Sequence, residues 1–201
     1  MNAETVSRSR EEMDETLIPE LAEYRRQFEA IKQDVQDLVA GLTDEQLNWH
    51  AQPGVWSIAE CLSHLTVTGT LYLPQIESKI NEARTRQLFN QGPFRHSFIG
   101  NWFVRSLEPP VKRKFRAPKK FVPTPDQPLA KVLPEFLSVQ ESFLHFLKEA
   151  NGLHLARIKV ASPVTSLLRL TLGQSFALTT AHERRHLWQA REVKNHPNFP
   201  K

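Results

Sequence analysis

The chain has 201 residues, 40% of them apolar and 24% charged, with one cysteine, seven glycines and a formal charge of +4. That is enough chain for one sizeable core and, at roughly 150 residues per domain, for a single domain. One cysteine cannot form an intrachain disulfide, and the absence of a long apolar run or of a charged-then-apolar leader at Met1–Arg10 argues against a membrane span and a secreted scaffold, so a cytoplasmic protein is expected.

In chain order, the apolar residues Leu17, Leu21, Tyr24, Phe28, Ile31, Val35, Leu38 and Leu42 recur at threes and fours, which predicts a first long helix over about Met13–Ala40, with Pro19 near its start and Gly41 at its end. Thr43-Asp44-Glu45-Gln46 then has the pattern of a capping box. A second box at Ser57-Ile58-Ala59-Glu60 opens a helix carrying Cys61, Leu65, Thr68, Tyr72, Ile76 and Ile80 to about Ala83, in which Pro74 should kink the axis or remove a hydrogen bond.

Eight of the fourteen prolines fall between Pro93 and Pro134, and this connection, about residues 84–127, also holds the basic residues. Between Arg105 and Lys120 seven cations (Arg105, Lys112, Arg113, Lys114, Arg116, Lys119 and Lys120) stand against Glu108 alone, so the stretch carries +6 and the remainder −2. A solvated loop accounts for it better than a nucleic-acid surface, because aromatic interleaving is sparse, and nucleic acid is not an expected partner. One short helix at His96–Leu107 is predicted within it. A third long helix follows at Pro128–Ala150, with Gln140 on the apolar stripe and Asn151-Gly152 as a left-handed cap; a fourth runs from Leu172 or Gly173 to about Val193. With no convincing strand pattern, the expected fold is all-α: a four-helix bundle with a long crossover between its second and third helices.

The chemistry concentrates in His182-Glu183-Arg184-Arg185-His186. Two histidines four apart on a helix lie on one face, Cβ atoms about 5–6 Å apart, and both can reach one cation. The sequence beyond His186 lacks the glycine and histidine that a protease of the H-E-x-x-H type uses downstream, and Glu192 points elsewhere on the helix, so Glu183 has no automatic role as general base. Upstream, His64 lies on the interior stripe of the second helix, where an unpaired imidazole would cost ~1–3 kcal/mol. A metal shared by His64, His182 and His186 would partner all three. Weaker candidates for a catalytic role are Glu60, explained as well by capping Ser57; Glu183, read as a solvated charge beside Arg184 and Arg185; and Gln189, one turn beyond His186. His50, His96, His145, His154 and His196 show no partner spacing, Cys61 reads as a packed core residue, and Trp49, Trp56 and Trp102 as core or groove residues.

Trp56-Ser57-x-x-Glu60-x-x-x-His64-Leu65, followed by His182-x-x-x-His186 and Gln189, resembles the DinB-like superfamily, which includes the YfiT-type proteins and thiol-dependent transferases. The resemblance spans about Leu17–Val193. It implies a three-histidine site for zinc, nickel or a similar divalent ion, frequent homodimers, and an enzyme acting on a small molecule as a transferase using a low-molecular-weight thiol; a metal-bound water made acidic at such a site would suit a hydrolase equally. Three imidazoles leave an open coordination position, as catalytic sites do. The competing expectation is a non-catalytic binding or stress-related scaffold with a structural or vestigial metal site.

Overall fold

The computed structural model describes residues 17–110, 117–165 and 167–201. Among them the chain is mostly helical: α1 (Pro19–Val39), α2 (Asp44–Asn48), α3 (Ile58–Thr85), α4 (Phe98–Arg105), a turn of 3₁₀ helix (Lys119–Phe121), α5 (Leu129–Glu149) and α6 (Leu172–Lys194), with one hairpin of β1 (Lys159–Ala161) and β2 (Arg169–Thr171). The predicted start of the first helix at Met13 lies outside the described residues. Within them, α1 begins later than its apolar spacing suggests, because Ile18 is extended and Pro19 takes the first helical position, where its missing N–H is not needed. The Ile18 amide instead donates to Asn151 Oδ1 at 3.0 Å, tying the start of α1 to the end of α5. Helix α3 runs through Pro74 without a break.

The mostly helical chain is consistent with the all-α expectation, to which the two short strands add a hairpin. They are antiparallel, with Val160 opposite Leu170, and both of those side chains enter the core while Lys159 and Arg169 face outward. Three residues per strand are too few for an alternating pattern to stand out in the sequence. The second strand leads directly into α6, whose first turn is closed by Thr171 Oγ1 accepting from Gln174 N and Gln174 Oε1 accepting from Thr171 N.

Helices α1 and α3 each pack against both α5 and α6, and α4 lies on α6. The apolar interior forms two clusters. One gathers Leu21, Phe28, Tyr72, Phe143, Leu147 and Phe176; the other gathers Val35, Leu62, Leu65, Phe136 and Leu187. On α6, Phe176 belongs to the first and Leu187 to the second, and the turns between them carry buried Thr179, Thr180, Glu183 and Arg185. A polar layer therefore separates the two halves of the core, and the histidines sit in it.

At Gly69 the close approach of α3 to α5 leaves no room for a side chain: a Cβ would collide with Val139 Cγ1 and lie 3.2 Å from Phe143 Cε2. Gly69→Ala is expected to destabilise by about 1–3 kcal/mol in spite of alanine's better helix propensity, since branched Val139 has few rotamers to yield into. A urea midpoint equal to or above that of the parent would contradict this packing.

Candidate metal centre

The capping box that opens α3 fixes the first member of the site. Ser57 Oγ accepts from the Glu60 amide at 3.2 Å, and the Glu60 carboxylate accepts from the Ser57 amide at 2.9 Å. Two turns into the helix His64 faces inward, 5% exposed. Its Nδ1 lies 2.7 Å from the carbonyl of Phe121. A carbonyl can only accept, so Nδ1 carries the proton and Nε2 presents its lone pair to the interior.

That lone pair faces α6. His64 Nε2 and His182 Nε2 are 3.3 Å apart, and the ring of His186 is centred 4.6 Å from that of His64 and 4.7 Å from that of His182. One ring nitrogen from each of the three histidines falls within 4.8 Å of the others. Trp56, at the entry to α3, lies against the cluster with its ring centre 4.7 Å from His64 and 5.6 Å from His186. His64 and His186 are buried and His182 is partly exposed.

All three imidazoles are held neutral. Burial lowers the pKa of His64, with the Phe121 carbonyl opposing. Burial, then the repulsion a second protonated ring would meet from His64, and the charge of Arg185 push His182 down to about 3. His186 is held well below the usual histidine range by burial and by its neighbours His182, His64 and Arg185, with Gln189 pulling the other way. His186 Nδ1 is buried with no hydrogen-bond partner among the described residues. Neutral, converging nitrogens are the donor set that a borderline divalent cation takes. Two nitrogens on a tetrahedral zinc with bonds of 2.0–2.1 Å stand about 3.3 Å apart, which is the His64–His182 separation. The three residues fit a metal.

The family model described as the DinB superfamily matches residues 27–190. The chain belongs to the DinB superfamily. No curated protein and no solved structure matches it.

For this DinB protein the weaker sequence candidates come out differently from the histidines. Neither Glu60 nor Glu183 joins the cluster. Glu60 serves the cap and lies 3.5 Å from His50 Nδ1. Glu183, expected to be solvated, is 2% exposed and accepts from Gln140 Nε2 at 2.7 Å, so it is turned to α5. Burial raises its carboxyl to about 8, with Gln140 and Arg184 opposing. The expectation failed because Gln140 of α5 meets Glu183 itself, while α6 packs against α1, α3 and the crossover helix α4. Of its two arginines, Arg185 is also buried, and Arg184 reaches Glu108 of the crossover at 2.9 Å and Gln27 of α1 at 3.0 Å. Gln189 stays close to His186.

Cys61 is buried in the core, where desolvation drives its thiol far above the usual range. Trp49 packs in the second core cluster, but Trp102 is 63% exposed, contrary to its expected core or groove position. His96, read as unpartnered, bridges Thr171 Oγ1 at 2.7 Å and Glu20 Oε1 at 2.8 Å. Both partners are over seventy residues away in sequence, which hid the contact. Phe121 was equally hidden, since a main-chain carbonyl leaves no trace in residue type. Gln140 did leave one, as the single amide on the apolar stripe of α5. Lys112, Arg113, Lys114 and Arg116 of the basic run lie outside the described residues. No helix among the described residues is long and apolar enough to cross a membrane.

Proposed function

We propose that this DinB superfamily member is a single-domain four-helix bundle that binds one divalent ion, zinc or nickel, through His64, His182 and His186, and that it acts as a metal-dependent enzyme on a small molecule. The observation that carries this reading is the convergence of three neutral imidazoles from two helices, with His64 Nε2 3.3 Å from His182 Nε2. Three protein nitrogens leave a fourth position free, as in a catalytic zinc site.

When bound, the ion would supply a concentrated positive charge that favours deprotonation of water or of a thiol. The chain does the positioning. Phe121 fixes the tautomer and orientation of His64, in the manner that backbone carbonyls orient metal-binding histidines. Trp56 shields the His64 and His186 side, which leaves the partly exposed His182 side for a substrate. Two reaction classes suit this donor set: hydrolysis, and transfer of a low-molecular-weight thiol. For the second the thiol comes from a cosubstrate, because buried Cys61 has neither access nor an available thiolate. Family resemblance adds a homodimer to the proposal, and the composition of the sequence a place in the cytoplasm.

The test is turnover by protein purified without a histidine tag and reconstituted with zinc or nickel, using activated esters and amides for hydrolysis and electrophilic alkyl halides or epoxides with glutathione or bacillithiol for transfer. Turnover that requires both the metal and His182 supports the reading. Stoichiometric metal with no turnover in either series favours the non-catalytic scaffold.

A further inference from the structure

A second charged feature lies away from the histidines. The cleft between the C-terminal half of α3 and the β1–β2 hairpin, about 300 Å³ in volume, is lined by Lys79, Arg86, Arg157, Lys159 and Arg169 against one carboxylate, Glu82. Lys79 is fifteen residues beyond His64 on the same helix, about 22 Å along its axis, so the two sites are separate.

Local pairing accounts for only part of this charge. Glu82 pairs with Lys79 at 2.5 Å and with Arg86 at 2.8 Å, as residues three and four apart on a helix do. Arg157, Lys159 and Arg169 have no ion pair among the described residues, and all three are exposed. Lys159 pairs with Thr171 and Arg169 with Ala161 in the ladder, so the two cations are diagonal neighbours on the outer face of the hairpin, about 7–8 Å apart between their Cα atoms. The hairpin thus holds two like charges side by side and faces them toward the cations of α3, an arrangement that repels itself when nothing lies between. The floor is apolar, made of Ala83, Leu88 and Ile158.

We infer that this cleft binds an organic phosphate: a ligand with at least two anionic groups, held by Arg157, Lys159 and Arg169, joined to an apolar or aromatic body that lies on Ala83, Leu88 and Ile158. Guanidinium groups suit phosphate oxygens, which they can meet with two parallel hydrogen bonds. The inference is independent of the metal reading.

Titration calorimetry with ADP and with inorganic pyrophosphate tests it, run in EDTA so that no metal at the histidines recruits the phosphates. ADP is expected to bind one site per chain, more tightly than pyrophosphate, with affinity falling as salt rises. The double variant Lys159→Gln/Arg169→Gln should weaken ADP binding by about tenfold or more per cation removed. The charge-preserving Lys159→Arg protein, which keeps the Arg169 guanidinium and controls for substitution in the hairpin, should bind within about threefold of the parent. No ADP binding by the parent protein would overturn the site. So would binding that the neutralised double variant retains. Pyrophosphate binding as tightly as ADP would overturn the ligand class by removing the floor from recognition.

Discussion

Replacing His186 with alanine is expected to abolish stoichiometric metal binding while leaving the helices folded. The parent protein, purified without a tag, should carry about one divalent ion per chain by elemental analysis, and His64→Ala should behave as His186→Ala does. Removing a group that merely orients a ligand weakens metal binding by 10–100-fold, so losing one of three ligands should exceed about 100-fold. The two variants test different elements: His64 comes from α3, and His186 from α6. If the ion were held by the i,i+4 pair alone, His64→Ala would retain it and His186→Ala would not. Unchanged metal content in both variants would remove the site altogether. The helices are expected to survive both changes: His186→Ala removes a ring whose Nδ1 has no partner among the described residues, and His64→Ala leaves the Phe121 carbonyl without its donor at a cost of about 1–3 kcal/mol, so circular dichroism should show unchanged helix content.

The second large effect concerns Glu183 and its dependence on pH. In the folded protein its carboxyl is raised to about 8 by burial, whereas in an unfolded chain it titrates near 4.3. Between those values the folded state holds a proton that the unfolded state has released, so stability falls as pH rises and levels off once both states are ionised. The histidines act in the opposite sense. Their pKa values are lowered by folding, so they favour unfolding increasingly as pH drops toward and below the ordinary histidine value of about 6.5. From about pH 6.5 to 8 the two senses oppose each other, so the Glu183 contribution, ~2 kcal/mol, is read as the change in the stability difference between the parent and a variant without the carboxyl.

Glu183→Gln should remove that contribution. Glu183 Oε2 and Gln140 Oε1 are both buried without partners among the described residues, and an amide at position 183 can donate to Gln140 Oε1 while still accepting from its Nε2. Urea unfolding of both metal-free proteins at the two ends of this window is the measurement. A parent-minus-variant difference that is the same at both ends would show that Glu183 is ionised in the fold, and the raised carboxyl pKa would be wrong.

What the sequence disclosed and what it hid divide along a physical line. Helix positions, both capping boxes and the pair His182 and His186 depend on neighbours within one or two turns, and they were legible. His64 was legible because an imidazole on an apolar stripe raises a question of pairing that only another part of the fold answers. The hairpin, the His96 bridge and the role of Phe121 rest on contacts between distant segments, and no local period encodes them. Glu183 lay between these cases: its place on the helix was readable, but the burial that changes its chemistry came from segments distant in sequence, among them Gln140 of α5.

The partner of His64 is an oxygen of the main chain, supplied by the 3₁₀ turn that ends in Phe121. Selection for the tautomer therefore acts on the route of the crossover and not on which amino acid occupies that position. The aromatic ring there answers to a different demand, since it is 2% exposed and anchors the turn. Related chains can accordingly exchange the residue for another large apolar one and keep the imidazole in register, whereas a deletion of one or two residues upstream would turn it away with every histidine still in place.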